Sequence, residues 1–263
     1  MSEQTLELAG GPLHVYVYKP ATYRAGEVLV VLHGLGRNAA GYRNYARPLA
    51  DRHGLLTVVP RFDRERFPTW RYQQGGIARM EHDEILVQPE ERWIASTVDD
   101  VIAAVRKIED APALRYSLLG HSAGAQALSR YAAFPHHDAR RIVIANPSTY
   151  LWPALEVRYP FGYGGLPATL AGDDDLRRYL AQPVVVLLGT EDVRQDRDLN
   201  VTPGAAAQGA NRYERGMNYF RAGERIARER GWSFGWRLIA VPGSAHSARA
   251  MFASEEAARA VGD

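Results

Sequence analysis

Tyr116-Ser117-Leu118-Leu119-Gly120-His121-Ser122-Ala123-Gly124 is the stretch on which the fold turns. A short apolar strand, residues 116–119, runs without a gap into Gly-x-Ser-x-Gly, and a helix to about residue 133 follows. A serine presented at a strand-to-helix turn sits on strained backbone and needs small neighbours, which Gly120 and Gly124 supply. The helix that follows aims its free N–H groups back at the serine and favours negative charge there. Ser122 is therefore the candidate nucleophile.

Working outward, residues 5–9 and 13–18 alternate apolar and polar around Gly10-Gly11-Pro12 and read as an opening β-hairpin. Residues 27–32 form a continuous apolar run, the pattern of a strand buried on both faces, and it stops at His33-Gly34. Further strands are expected at 55–59, 141–145, 183–188 and 235–241. Helices are expected at 39–52, 93–108 and from about 213 to 230, with a last one after His246. Strands alternating with helices imply one domain over residues 1–263, a mainly parallel sheet with helices on both faces. Two stretches, about 60–92 and 147–182, break this pattern and are rich in aromatics, prolines and glycines. Loops of that length in a compact domain are usually functional, so both are expected to cover the pocket. Trp70, Tyr72 and Trp152 are the candidate substrate-binding residues, although such rings equally serve to pack loops onto a domain. Gly75-Gly76 reads as a hinge or a plain turn.

A serine hydroxyl needs a base within hydrogen-bond reach. His246, in Pro242-Gly243-Ser244-Ala245-His246-Ser247, follows the last strand and can reach back across the sheet's carboxyl edge. His121 lies inside the turn and is expected to point away, while His14, His53 and His82 sit at no suitable strand end. The supporting carboxylate is expected just past another strand, in Gly189-Thr190-Glu191-Asp192. Asp192 is assigned, with Asp196 the first substitute among nearby acids. Oxyanion donors are assigned to the backbone N–H groups of Ala123 and of Leu35 in His33-Gly34-Leu35-Gly36, with Gly34 as an alternative to Leu35. His-Gly turns after buried strands are also purely structural, so this last assignment competes with a plain turn.

Composition removes several other classes. There is no cysteine, which excludes disulfides, thiolate catalysis and cysteine-ligated metal. The eight histidines lack paired zinc spacing; His136-His137 reads as solvated loop. Thirty-two basic and 30 acidic side chains leave a net charge of +2 without a basic block, so neither nucleic acid nor a membrane surface is an expected partner. No basic-then-apolar leader opens the chain, and the expected location is cytoplasmic.

Taken together, the His33-Gly34 loop, the Gly120–Gly124 turn, the Asp192 loop and the His246 loop resemble the α/β-hydrolase family over nearly the whole chain. That resemblance implies a three-layer α/β-hydrolase fold and a serine esterase that works through an acyl-enzyme without metal or organic cofactor. Serine rather than aspartate at the turn argues against dehalogenase and epoxide-hydrolase chemistry. Pro60-Arg61-Phe62-Asp63, Tyr72-Gln73-Gln74-Gly75-Gly76 and Ala207-Gln208-Gly209-Ala210-Asn211-Arg212 are similar to bacterial carboxylesterases related to polyhydroxybutyrate depolymerases. A small or oligomeric ester is the substrate so implied. An amidase or peptidase on the same fold and a non-catalytic binding module are the alternatives.

Overall fold

The computed structural model describes residues 1–24, 26–134 and 137–262. The opening alternation folds as an antiparallel hairpin of β1 (Ser2–Leu8) and β2 (Gly11–Tyr18), with the two core-facing leucines, Leu6 and Leu13, opposite each other. β3 (Glu27–Leu32) and β4 (Leu56–Pro60) are buried end to end and pair in parallel, joined by α1 (Ala39–His53). β4 also pairs antiparallel with β2, which attaches the hairpin to the sheet.

The chain then makes a short helix α2 (Thr69–Tyr72) and a small separate hairpin, β5 (Ala78–Glu81) with β6 (Glu84–Val87). Helix α3 (Ile94–Ile108) returns to the sheet, followed by β7 (Arg115–His121), α4 (Ala123–Ala133) and β8 (Arg141–Ala145). Next come α5 (Asp173–Ala181), β9 (Val184–Gly189), a turn of helix α6 (Pro203–Ala206) and the long α7 (Arg212–Arg230). β10 (Arg237–Val241) and two helices, α8 (Ala248–Phe252) and α9 (Glu255–Gly262), close the chain.

The eight-stranded sheet runs β1-β2-β4-β3-β7-β8-β9-β10, and from β4 onward every neighbouring pair is parallel. Because successive strand residues face opposite sides, β3 feeds two cores. Val28, Val30 and Leu32 meet side chains from α3, α4 and α5, whereas Leu29 and Val31 meet α1, α8 and α9. These are the three expected layers. Parallel pairing puts the carboxyl ends of β3, β7, β8, β9 and β10 along one edge, where a doubly covered sheet leaves its loops free to form a site.

Both irregular stretches carry more structure than expected. Segment 60–92 holds α2 and the β5–β6 hairpin, and α5 lies within 147–182. In α5 only Leu176, Tyr179 and Leu180 are buried, so one apolar face anchors an otherwise charged helix. The aromatics of these stretches build core: Phe62, Phe67, Tyr72, Tyr150, Tyr159, Tyr163 and Tyr179 all join the larger cluster. Several of these tyrosines place the hydroxyl on a carbonyl, as in Tyr159 to that of Gln74 at 2.7 Å and Tyr179 to that of Leu151 at 3.1 Å. Gly75 and Gly76 are buried at φ +83° and +75°, and a side chain on Gly76 would strike the Arg92 carbonyl. They form a locked turn. Of the histidine pair, His137 stacks against Tyr131 with centroids 4.7 Å apart, and His136 lies outside the described residues.

Every residue of α4 is buried, and the helix reaches β3 so closely that a Cβ on Gly124 would lie 2.2 Å from the Leu32 carbonyl oxygen. Both atoms belong to backbone, so no rotamer change relieves the clash. Gly124→Ala should cost about 2 kcal/mol or more of stability, read as a lowered midpoint in urea unfolding. An unchanged midpoint would mean that α4 and β3 are further apart than described.

Candidate active site

Ser122 follows β7 directly and adopts φ +56°, ψ −115°, a conformation that only close packing keeps a non-glycine residue in. Its N–H donates to the Ala145 carbonyl at 3.0 Å, and its own carbonyl accepts from the Gln126 N–H at 3.0 Å. A Cβ on Gly120 would fall 2.5 Å from the Gly124 carbonyl oxygen, so both flanking glycines are sterically required.

His246 Nε2 lies 3.0 Å from Ser122 Oγ, and His246 Nδ1 lies 2.7 Å from Asp192 Oδ2. The short contact to a carboxylate puts the ring proton on Nδ1, which leaves Nε2 to accept from the hydroxyl. The two loops that carry this pair are stitched together. Glu191 N–H donates to the Ser244 carbonyl at 2.9 Å, and Gly243 N–H donates to Thr190 Oγ1 at 2.9 Å. Asn146, buried at φ +47°, accepts from Gly189 N–H at 2.9 Å and donates to the Ala245 carbonyl at 3.4 Å. One side chain thus ties the ends of β8 and β9 to the histidine loop.

Asp196, the substitute considered for Asp192, has another partner. The buried guanidinium of Arg212, at the start of α7, makes two 2.8 Å hydrogen bonds to Asp196 and a 3.5 Å contact to Asp192 Oδ1. Arg212 therefore faces the oxygen of Asp192 that His246 leaves free. Sequence reading missed this residue except as part of a family-like segment, because an arginine in a charged helix looks like solvated surface. Gln208, from the same segment, clasps the Tyr150 backbone through N–H and carbonyl at 2.9 and 2.8 Å.

The loop after β3 is held from behind. His33 Nε2 accepts from the Phe62 N–H at 3.1 Å, and its Nδ1 is 3.1 Å from the Gly34 carbonyl oxygen. Burial lowers its pKa to about 4, so the ring is neutral near pH 7. The Tyr72 hydroxyl donates to the His33 carbonyl at 2.6 Å, and Arg37 donates to the carbonyls of Phe62 and Phe67. Leu35 and Ala123 both line the resulting cleft beside Ser122, as does Gly34.

The cleft encloses ≈460 Å³, and among the described residues Leu35 is the one large aliphatic side chain on its wall. Tyr42, Tyr45, Asn38, Gln73, Gln126 and Arg249 are among its other lining residues, so the wall mixes polar and apolar surface. Trp70, Tyr72 and Trp152 do not line it, which corrects the assignment of these rings to substrate. Tyr72 is fully buried behind His33, Trp70 is half-buried on α2, and Trp152 packs on the core near Tyr219. From the two irregular stretches only Gln73 and Ser148 reach the cleft. His121, expected to point away, is buried under the cleft with its ring 4.7 Å from that of His246. Among the described residues no group of three or more acidic or histidine side chains is arranged to hold a metal, and no helix is long and apolar enough to cross a membrane.

Hydrogen bonds from Arg212 hold the Asp196 carboxyl down to about 2. A depressed carboxylate pKa stabilises the fold above the unfolded value of about 3.9, and that gain vanishes as pH falls through the folded value. Thermal melts of Asp196→Asn should therefore lie below those of the parent at pH 5, with the gap closing between about pH 4 and 2. A gap independent of pH would show that the ion pair contributes nothing.

No family model matches the sequence, and neither does any curated protein. Solved structures do. Poly(aspartic acid) hydrolase-1 from Sphingomonas sp. KT-1 is 31% identical, superposes with a TM-score of 0.90, and is aligned over 100% of this chain and 98% of that one. LpqC, a poly(3-hydroxybutyrate) depolymerase from Bordetella parapertussis, is 35% identical with a TM-score of 0.84, over 95% and 87% of the two chains. An S-formylglutathione hydrolase from Agrobacterium tumefaciens shares the fold at 17% identity, with a TM-score of 0.56 over 95% and 89%. With two relatives above 30% identity across nearly their full lengths, the chain belongs to the α/β-hydrolase family and is a hydrolase.

Proposed function

We propose that this protein is a serine hydrolase that cleaves carboxylic esters through an acyl-enzyme on Ser122. The observation that carries the reading is the position of His246, 3.0 Å from the Ser122 hydroxyl and 2.7 Å from the Asp192 carboxylate. In the first half-reaction Ser122 Oγ bonds to the ester carbonyl carbon while its proton passes to His246 Nε2. Asp192 stabilises the imidazolium so formed and keeps the ring turned. The N–H groups of Leu35 and Ala123 receive the oxyanion; the latter belongs to the first turn of α4, whose leading N–H groups have no partner within the helix. His246 then protonates the departing alkoxide, and the carbonyl reforms as the acyl-serine. Water repeats the sequence, giving its proton to His246 and releasing the acid.

The modest cleft of mixed polar and apolar wall suits a small or oligomeric ester, as does likeness to a poly(3-hydroxybutyrate) depolymerase. A second reading, amide cleavage, draws on one observation: the chain's full-length likeness to a poly(aspartic acid) hydrolase. The same side chains serve both reactions, and they differ in how poor a leaving group His246 must protonate.

Ser122→Ala should lower ester turnover by about a thousandfold or more, with a melting temperature within a degree or two of the parent. Retained turnover would remove Ser122 from the role. Matched p-nitrophenyl esters and aminoacyl anilides separate the two readings, and the faster class identifies the chemistry.

A further inference from the structure

His121 is the last residue of β7, fully surrounded, and its ring faces that of His246 at 4.7 Å with planes 38° apart. A buried imidazole beside a proton acceptor is an expensive choice for packing alone, since an apolar ring carries no polar nitrogens to satisfy. One nitrogen, Nδ1, is met by the Tyr42 hydroxyl at 2.9 Å, whereas Nε2 has no hydrogen-bond partner among the described residues. Tyr42 projects from α1, and its hydroxyl occupies the place a side chain on Gly34 would need, 2.6 Å from that position. Phe252 of α8 closes the cradle, with centroids 6.3 Å from His121 and 6.0 Å from Tyr42.

A physical line of contact therefore runs from the loop after β3, through Tyr42 and His121, to the ring of His246. We infer that His121, anchored by Tyr42, is a positioning residue: the face of its ring sets the plane in which His246 meets Ser122, and Tyr42 registers that plane against the oxyanion loop. This rests on the reading of Ser122 and His246 given above. His121 borders the floor of the cleft but is only 3% exposed there and makes no hydrogen bond to Ser122, so its contact is with the base and not with the nucleophile.

The charged and titratable groups that face His121 are Tyr42 from α1, His246 from the loop after β10, and Arg212 from α7 at longer range. Burial, with the charges of His246 and Arg212 added, pushes the His121 pKa well below the usual histidine range. The ring is thus neutral while His246 cycles between its two forms, so the neighbour that orients the base does not compete for the proton.

Two variants divide the contribution of the ring from that of its anchor. His121→Asn keeps a polar atom near the position of Nδ1 for Tyr42 but removes the ring face; Tyr42→Phe keeps both rings and removes the anchor. Tyr116→Phe, which deletes a buried hydroxyl hydrogen-bonded to Tyr131 in the larger core, is the structural control. His121→Asn should lower kcat about tenfold and Tyr42→Phe about threefold, with KM within twofold and loss of melting temperature no larger than in the control. The readout independent of turnover is ¹⁵N NMR of the His246 ring. The parent should show one tautomer, protonated on Nδ1, and His121→Asn should show both averaged. Spectra like the parent's together with kcat within twofold would overturn the inference, as would a kcat loss matched by the control. If the parent turns over no ester while the spectra behave as expected, the functional reading fails and the positioning role stands.

Discussion

The structure depends on how closely α4 approaches β3. At Gly124 the helix backbone touches the Leu32 carbonyl, and at Gly120 the strand touches the Gly124 carbonyl, with no room for a Cβ in either place. Between them the chain must reverse within one residue, and Ser122 takes the strained conformation this demands. The strain is held by what surrounds it: a helix buried on every side, β3 buried throughout and β7 buried from Tyr116 onward. A hydroxyl that in a looser protein would rotate among solvent positions is fixed at the carboxyl edge of the sheet, next to the first N–H groups of a helix. Everything else in the site is arranged relative to that point.

From there the site is assembled chiefly by hydrogen bonds between buried side chains and the backbone of neighbouring loops. Asn146 joins β8, β9 and the histidine loop, while the Asp192 and His246 loops bond to each other directly. The loop after β3 leans on His33, itself held by Phe62 and Tyr72. Arg212 meets the far oxygen of Asp192 and is in turn paired with the half-exposed Asp196. A buried guanidinium between two carboxylates keeps Asp192 oriented without leaving an unpaired charge in the interior. Most aromatic side chains of the two irregular stretches go into the core instead, and the rings on the cleft wall, Tyr42 and Tyr45, come from α1.

Most of the sheet was legible in the sequence because its strands are buried on both faces. Runs such as Val28–Leu32 and Val184–Leu188 carry no ambiguity of period, and the turn at Ser122 names itself through two glycines. Asp192 and His246 were legible for a related reason: each follows a strand whose end was already marked. Where burial is partial the signal faded. The β5–β6 hairpin is largely exposed and shows little alternation, and α5 displays only three buried positions among aspartates and arginines. Tyr72 and Arg212 were misread or missed because residue type alone does not say which way a side chain faces. A tyrosine in an irregular stretch looks like a binding residue until its hydroxyl is seen on a backbone carbonyl, and an arginine looks like surface until two carboxylates are found around it.

The account stands on a single proton path, from the Ser122 hydroxyl to His246 and its aspartate. The most direct test is to treat the protein with a fluorophosphonate and locate the adduct by mass spectrometry, in the parent and in His246→Ala. A serine activated in this way should carry one adduct, on Ser122, in the parent and almost none in the variant. An unlabelled parent, an adduct on another residue, or equal labelling without the imidazole would contradict it.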